Sequence, residues 1–119
     1  MLRQAEKDLQ FANLMLKHSA NEAGRYAYMA TFNAAQAALV QVRGIGPKTH
    51  KGVRSEFGKL CKEHPDLNPE MGQFLASVYK LKEVADYRYE IEVPGEEAKA
   101  AIDNATGFLA TIKFFLKLA

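Results

Sequence analysis

Apolar residues recur along this chain at intervals of three and four, the spacing that places side chains on one face of an α-helix. The longest such stretch covers residues 25–39, where alanines form one line and bulkier residues form a second. A helix that is apolar nearly all round is a buried helix, so we expect this segment to lie at the centre of the core. The alanine line comprises Ala27, Ala30, Ala34 and Ala37, and the bulkier line comprises Tyr28, Phe32, Ala35, Leu39 and Val42.

Five helices follow from this periodicity and from the residues that begin and end helices. Thr49 and Asn68 stand in capping positions before predicted helices, and Gly44 ends the central one. The predicted helices are Leu2–His18, Asn21–Arg43, His50–Glu63, Pro69–Tyr87 and Glu96–Leu118. Residues 88–95 alternate polar and apolar and end in Pro-Gly, which is typical of an extended loop. The pattern predicts an all-α fold, an up-and-down antiparallel helical bundle of four long helices plus a shorter one.

The composition is that of an ordinary globular protein, with 119 residues of which 48% are hydrophobic and 25% charged,. We therefore expect one domain, residues 1–119, with one core. A net charge of +2 gives no general attraction to nucleic acid, so such binding needs a local patch,. The single cysteine, Cys61, leaves no disulfide or zinc motif. Because no apolar run is long enough to cross a bilayer and residues 1–7 do not form a signal peptide, we expect a cytoplasmic protein without metal or cofactor.

The best local basic patch surrounds the turn after the central helix. The loop between Arg43 and His50 could bring these two residues to one end of the bundle. His50 would begin the third helix, where the helix dipole favours a neutral imidazole and free N–H groups favour a phosphate. The alternative is a solvated loop with ordinary surface lysines. The patch consists of Arg43, Lys48, His50, Lys51 and Arg54.

Two acidic residues receive different predictions. Asp86, close to the end of the fourth predicted helix, is expected to form a structural ion pair with Arg25 or Lys82. Asp8 lies off the apolar stripe of the first predicted helix, so we expect it to face solvent.

Four short segments give the chain a resemblance to small stand-alone HEPN-domain proteins. They are spread over nearly the whole chain, in the order expected for that family. The segments are Arg-Tyr-Ala-Tyr-Met-Ala-Thr-Phe-Asn-Ala-Ala at 25–35, Gly-Ile-Gly-Pro-Lys-Thr-His-Lys-Gly-Val at 44–53, Ala-Asp-Tyr at 85–87 and Glu-Glu-Ala at 96–98.

This resemblance implies a homodimeric helical bundle, often encoded beside a minimal nucleotidyltransferase in a toxin–antitoxin-like pair. Active members of the family are metal-independent ribonucleases that use an arginine and a histidine, separated by four to six residues and brought together across the dimer. The chemistry suits these residue types. Histidine titrates near neutrality and can act as base or acid, and arginine can hold the charged phosphorane oxygens.

The chain departs from this pattern at the end of the fourth predicted helix. Lys82 stands where the arginine would be, and Tyr87 stands where the histidine would be. Lysine cannot reproduce the bidentate fork of arginine, and a phenol with an ordinary pKa near 10 is a poor base at neutral pH. This position therefore looks inactive or altered in chemistry. Arg43 and His50 form a second candidate pair.

Three functions are compatible with these observations. The first is a non-catalytic or weakly catalytic partner of a minimal nucleotidyltransferase, with nucleotide or RNA binding. The altered residues at 82 and 87 favour this function. The second is a metal-independent endoribonuclease toxin with an Arg/His pair, and the third is a purely structural helical adaptor. The candidate catalytic residues are Arg43 and His50, and the candidate ligand-binding residues are Lys48, Lys51, Lys82, Asp86 and Tyr87.

Overall fold

The computed structural model describes residues 1–44, 46–87 and 92–118, except for the side chain of residue 118. The described residues form five helices, which confirms the predicted all-α fold. The helices are α1 (Leu2–Met15), α2 (Ala20–Arg43), α3 (His50–Glu63), α4 (Pro69–Tyr87) and α5 (Gly95–Leu118). Of the predicted extended loop at 88–95, residues 88–91 lie outside the described residues.

The first helix is shorter than predicted. It ends at Met15 rather than at His18, and residues 16–18 form a turn. This turn positions Ser19 as the N-cap of α2, where its hydroxyl accepts a hydrogen bond from the backbone N–H of Glu22 at 3.2 Å. A serine that satisfies one of the free N–H groups of a helix stabilises its start, so the chain begins a second helix here instead of extending the first.

Helix α2 lies at the centre of the bundle, as predicted, because it contacts each of the other four helices. Its alanine line is buried throughout, which allows close approach of the neighbouring helices. Along the bulkier line, Tyr28, Ala35 and Leu39 are buried, whereas Phe32 is partly exposed. Val42 is exposed, because it lies in the last turn of the helix.

The four long helices run alternately up and down. Three side-chain contacts between helices are consistent with these directions. Arg25, near the start of α2, pairs with Asp86, near the end of α4, and Glu6, in the first half of α1, pairs with Lys113, near the end of α5. Asp8 of α1 contacts Asn33 of α2.

The shorter helix α3 runs parallel to α2, because the loop between them returns along α2. Gly44 has a φ of 84°, in the left-handed region, and its N–H donates to the carbonyl of Val40 at 2.8 Å. Gly46 then passes so close to α2 that an added Cβ would lie 3.3 Å from the side chains of Gln36 and Val40. As a result, His50 begins α3 beside the middle of α2.

One polar contact crosses the packed interface between α1 and α2. Asp8 is only 4% exposed, and its carboxylate accepts hydrogen bonds from Nδ2 of Asn33 at 2.8 Å and Nε2 of Gln4 at 3.0 Å. The prediction that Asp8 faces solvent is therefore wrong. Helical periodicity places polar residues outside, but a carboxylate with two donors can be buried, because its hydrogen bonds are made inside the protein.

Candidate functional site

The structure does not bring Arg43 and His50 together within one chain. Arg43 lies at the end of α2 and forms ion pairs with Glu56 at 3.5 Å and Glu63 at 3.3 Å. His50 lies at the opposite end of α3, against Tyr28. About 22 Å of helix separate Tyr28 from Arg43, at 1.5 Å per residue. The returning loop causes this separation, and the catalytic role of the pair stays a prediction.

His50 is held against two aromatic residues of α2. Its ring stacks on Phe32, with ring centroids 4.4 Å apart, and its Nδ1 lies 2.5 Å from the hydroxyl oxygen of Tyr28. Partial burial, followed by the positive charges of Lys82 and Arg54, lowers the pKa of His50 below its ordinary value. The lowered pKa favours the neutral imidazole, which is the protonation state of a general base,.

Arg54 lies one turn further along α3, with its guanidinium carbon 3.7 Å from the centre of the Tyr79 ring. Its Nη1 atom is buried and has no hydrogen-bond partner among the described residues. Burial raises the pKa of Tyr28 to about 12, and both the positive charge of Arg54 and a side-chain hydrogen bond with it oppose that rise. A buried donor without an acceptor costs free energy, so a ligand that supplies an acceptor to Arg54 would be bound favourably.

Asp86, in the last turn of α4, holds two cations. Nε of Arg25 donates to one carboxylate oxygen at 2.7 Å, and Nζ of Lys82 donates to the other at 2.8 Å. Partial burial acts to raise the pKa of Asp86, but the hydrogen bonds from Lys82 and Arg25 outweigh it, so the pKa lies below its ordinary value. The hydrogen bond to Asp86 raises the pKa of Lys82. Asp86 thus contacts both of the partners considered for it.

We refer to the cations Arg54 and Lys82, together with the titratable His50 beside them, as the cation cluster. Two of its members come from α3 and one from α4, and both Arg54 and Lys82 lie close enough to His50 to lower its pKa. The structure therefore brings the start of α3 and the end of α4 to one place. The remaining candidates lie at its edges. Lys48 and Lys51 are exposed to solvent and lie close to His50 in the sequence, and Tyr87 is 71% exposed.

Two members of this site had little or no support from the sequence. Arg54 was expected only to add charge to the patch, and Tyr79 was not a candidate. The spacing of His50 and Arg54, four residues apart, is a signal that could have identified the pair, because residues i and i+4 share one helix face. Tyr79 offers no such signal, since its contact with Arg54 depends on the packing of α3 against α4.

The described part of the chain contains side chains of the kinds that usually bind metal ions,. Within residues 1–44, 46–87 and 92–118, no three His, Cys, Asp or Glu side chains are grouped so that they could hold one. Cys61 is buried in the core, as predicted, and burial raises the pKa of its thiol to about 11. Over the same residues, none of the helices has the length and apolar character that crossing a membrane requires.

The fold and the site define a small helical-bundle protein with a cationic site between two helices. The sequence profile of the HEPN domain family matches residues 1–115. A protein of Methanocaldococcus jannaschii named "Putative toxin MJ0142" is 29% identical over 117 residues, which cover 98% of this chain and 79% of that protein. Another from the same organism, "Putative toxin MJ0605", is 31% identical over 114 residues, covering 95% and 84%. The chain belongs to the HEPN domain family, which confirms the resemblance.

Proposed function

We propose that this protein is the HEPN member of a toxin–antitoxin-like pair, and that its cation cluster binds the phosphates of RNA or of a nucleotide with little cleavage. The names of the two Methanocaldococcus relatives support the toxin-like role. The observation that carries the binding proposal is Arg54, whose buried Nη1 has no acceptor among the described residues and which lies near the ammonium group of Lys82 and the titratable imidazole of His50. A phosphate oxygen would supply that acceptor, and the planar fork of arginine suits phosphate geometry.

The chemistry at the end of α4 favours binding over cleavage. Lys82 occupies the position of the family's arginine, but Asp86 already holds its ammonium group at 2.8 Å. Tyr87, in the position of the histidine, extends into solvent. A lysine bound to a carboxylate and an exposed phenol are a poor substitute for an arginine and a histidine that act on the same phosphate.

A second candidate function follows from the contacts of His50. A neutral imidazole can accept a proton from a ribose 2′-hydroxyl, and Arg54 could hold the phosphate that reacts. This would be metal-independent RNA cleavage with a different pair from Arg43 and His50. The closeness of Arg54 to His50, which contributes to the lowered pKa of the imidazole, is the observation that favours it.

We propose two protein partners for the chain: a second copy of itself, as in other family members, and a minimal nucleotidyltransferase. The family membership and the toxin names of its relatives support both. A cytoplasmic location would give the protein access to RNA and nucleotides. Whether the neighbouring gene encodes a minimal nucleotidyltransferase tests the second partnership directly.

The binding proposal is tested with a fluorescent single-stranded RNA and a nucleotide, titrated with the wild type and single variants at several salt concentrations. We expect Arg54→Ala to weaken binding about tenfold, the effect of one charge-assisted hydrogen bond. His50→Ala and Lys82→Ala should weaken it less. Lys59→Ala is the matched control, because Lys59 is an exposed cation of the same helix. The logarithm of the binding constant should fall with log salt by about 0.7 per phosphate contact.

The outcomes separate the candidate functions. If Arg54→Ala binds like the wild type at low salt, the cation cluster is not a phosphate site. RNA cleavage in the presence of a chelator, abolished by His50→Ala and by Arg54→Ala but not by Lys59→Ala, would establish the second function instead. If the wild type binds neither RNA nor nucleotide, the binding proposal is wrong, and Asp86 and Tyr87 should then be tested as contacts to a protein partner.

A further inference from the structure

Helix α4 contributes Lys82 to the cation cluster on the side that faces α3, and it borders a groove on the side that faces α5. Two adjoining cavities of about 390 and 330 Å³ form this groove, and they share Phe74 and Asn104. Buried apolar residues form its floor, and small or uncharged residues form much of its rim. The floor consists of Met71, Val78, Ala101 and Phe108, and the rim includes Ser77, Ala100, Gly107 and Thr111.

The groove has the length of a short helix. Along α5 it extends from Glu97 to Thr111, which is about 21 Å at 1.5 Å per residue,. Four turns of an α-helix cover the same distance. An apolar groove of this length is a recurring binding mode for amphipathic helices, which place anchors from one face into it.

Gly107 indicates close approach of another chain to the groove. It lies exposed in the middle of α5, where glycine is less favourable than alanine,. An added Cβ would meet no atom within 4 Å, so the described residues give no reason for a glycine. The backbone of a helix that packs against α5 at this point would give one, because the absence of a side chain permits closer packing.

The charged residues at the two ends of the groove indicate what kind of helix would fit it. Among the described residues, the charged side chains that line it are Glu70 at one end and Glu97 at the other. We propose that the groove binds an amphipathic helix of a partner protein, apolar along one face and with lysine or arginine at both ends. A second copy of the chain offers this face mixed charges rather than basic ends, since the exposed residues of its own α5 include Glu96 and Asp103 as well as Lys99,.

The identity of the partner as the other member of a toxin–antitoxin-like pair rests on the proposed function, whereas the groove and its charge do not. The test therefore uses synthetic probes. Two helical peptides of about 16 residues, enough for four turns, carry the same leucine stripe and differ only in lysines or glutamates at their ends. Each is titrated into the full ¹⁵N-labelled chain, and amide shifts map the contact. Anisotropy gives the affinity, and sedimentation velocity gives the oligomeric state.

We expect the lysine peptide to shift the amides of Phe74, Asn104 and Gly107 and to bind at least tenfold more tightly than the glutamate peptide. Gly107→Ala should raise the melting temperature of the free chain and yet weaken peptide binding. Gly58→Ala is the matched control, because a Cβ on Gly58 also meets no atom within 4 Å, but Gly58 lies on α3. That variant should bind the peptide like the wild type.

Any of the following results would overturn the proposal. Equal affinity for the two peptides would show that the acidic ends do not select the occupant, and binding without shifts along the groove would place the site elsewhere. If the groove amides shift with protein concentration while the chain sediments as a dimer, a second copy occupies the groove. RNA binding is measured separately, so failure of the groove proposal and failure of the proposed function can be distinguished.

Discussion

Two of the polar groups that lie between helices differ in whether the described part of the chain satisfies them. At the α1–α2 interface, the Asp8 carboxylate accepts hydrogen bonds from Gln4 and Asn33. At the α3–α4 interface, Arg54 has a buried Nη1 without a partner among the described residues. The first group is complete within one chain, whereas the second has an unused donor beside the ammonium group of Lys82 and the titratable His50. The comparison separates a polar contact that holds helices together from one that is suited to a ligand.

The difference follows from the cost of burying polar groups. A buried polar atom is nearly always hydrogen-bonded, and a folded chain that leaves one unpaired loses the stability that a partner would give. Asp8 meets this requirement and so needs no function beyond stability. The buried Nη1 of Arg54 does not, although the interactions of the guanidinium with Tyr28 and Tyr79 recover part of the cost,. A buried donor without a partner among the described residues is therefore informative, because it lowers stability unless something else pairs with it,.

The largest effect is expected for Asp8→Ala, which leaves the amides of Gln4 and Asn33 without their acceptor. The free energy of unfolding should fall by about 1–3 kcal/mol, as for other buried hydrogen-bond partners that are removed. RNA binding should not change. Urea unfolding measures the loss, with Asp103→Ala as the control, because Asp103 is an exposed acid of α5. A loss no larger than that of the control would show that the Asp8 contact contributes little.

A smaller effect is expected for Asp86→Asn. Asp86 is satisfied by hydrogen bonds, as Asp8 is, but one of its partners, Lys82, belongs to the cation cluster. The variant weakens the hydrogen bonds to Arg25 and Lys82. The side chains of Asp86 and Lys82 are only about one-fifth exposed, so the loss at pH 7 should be about 1 kcal/mol,. The folded pKa of Asp86 is lowered, so its contribution is present above the unfolded value of 3.8 and is lost as pH falls through the folded pKa,. Unfolding at pH 7 and at pH 3 measures this.

The measurement at low pH tests whether the charge of Asp86 stabilises the fold. The difference in stability between wild type and Asp86→Asn should shrink as pH falls below 3.8, because the unfolded wild-type chain then takes up a proton more readily than the folded chain,. A difference that stays constant with pH would mean that the charge of Asp86 does not stabilise the fold. The variant also frees Lys82, so RNA binding at neutral pH should be unchanged or tighter, the opposite of the effect expected for Arg54→Ala.

The fold was predictable because its signals are local. Periodicity identified the helices, and Thr49 and Asn68 cap them through hydrogen bonds to nearby backbone N–H groups. The site was less predictable because it depends on distant contacts. The burial of Asp8 requires a donor from another helix, and the position of His50 depends on a loop that returns along α2. The stacking of Arg54 follows from helix packing, which the spacing of residues within one helix does not reveal.

The smallest effect, and the one most specific to the site, is expected for the pH dependence conferred by His50. Its pKa is lowered in the folded chain, so the unfolded state binds more protons as pH falls below about 6.5, and the folded state loses stability there,. His50→Gln removes the titrating group, and its stability should depend less on pH between 7.5 and about 5.5. His50 is an exposed residue, so the change should be modest,.

Ligand binding should show the opposite dependence on pH at the same residue. A bound phosphate favours the charged imidazole, so the affinity of the wild type for RNA should rise as pH falls below about 6.5, while that of His50→Gln should stay nearly constant. Binding measured over this pH range at fixed salt gives both curves. If the two proteins show the same rise, the proton is taken up elsewhere and His50 does not face the phosphate. Asp8→Ala, whose change lies in the other interface, should follow the wild-type curve.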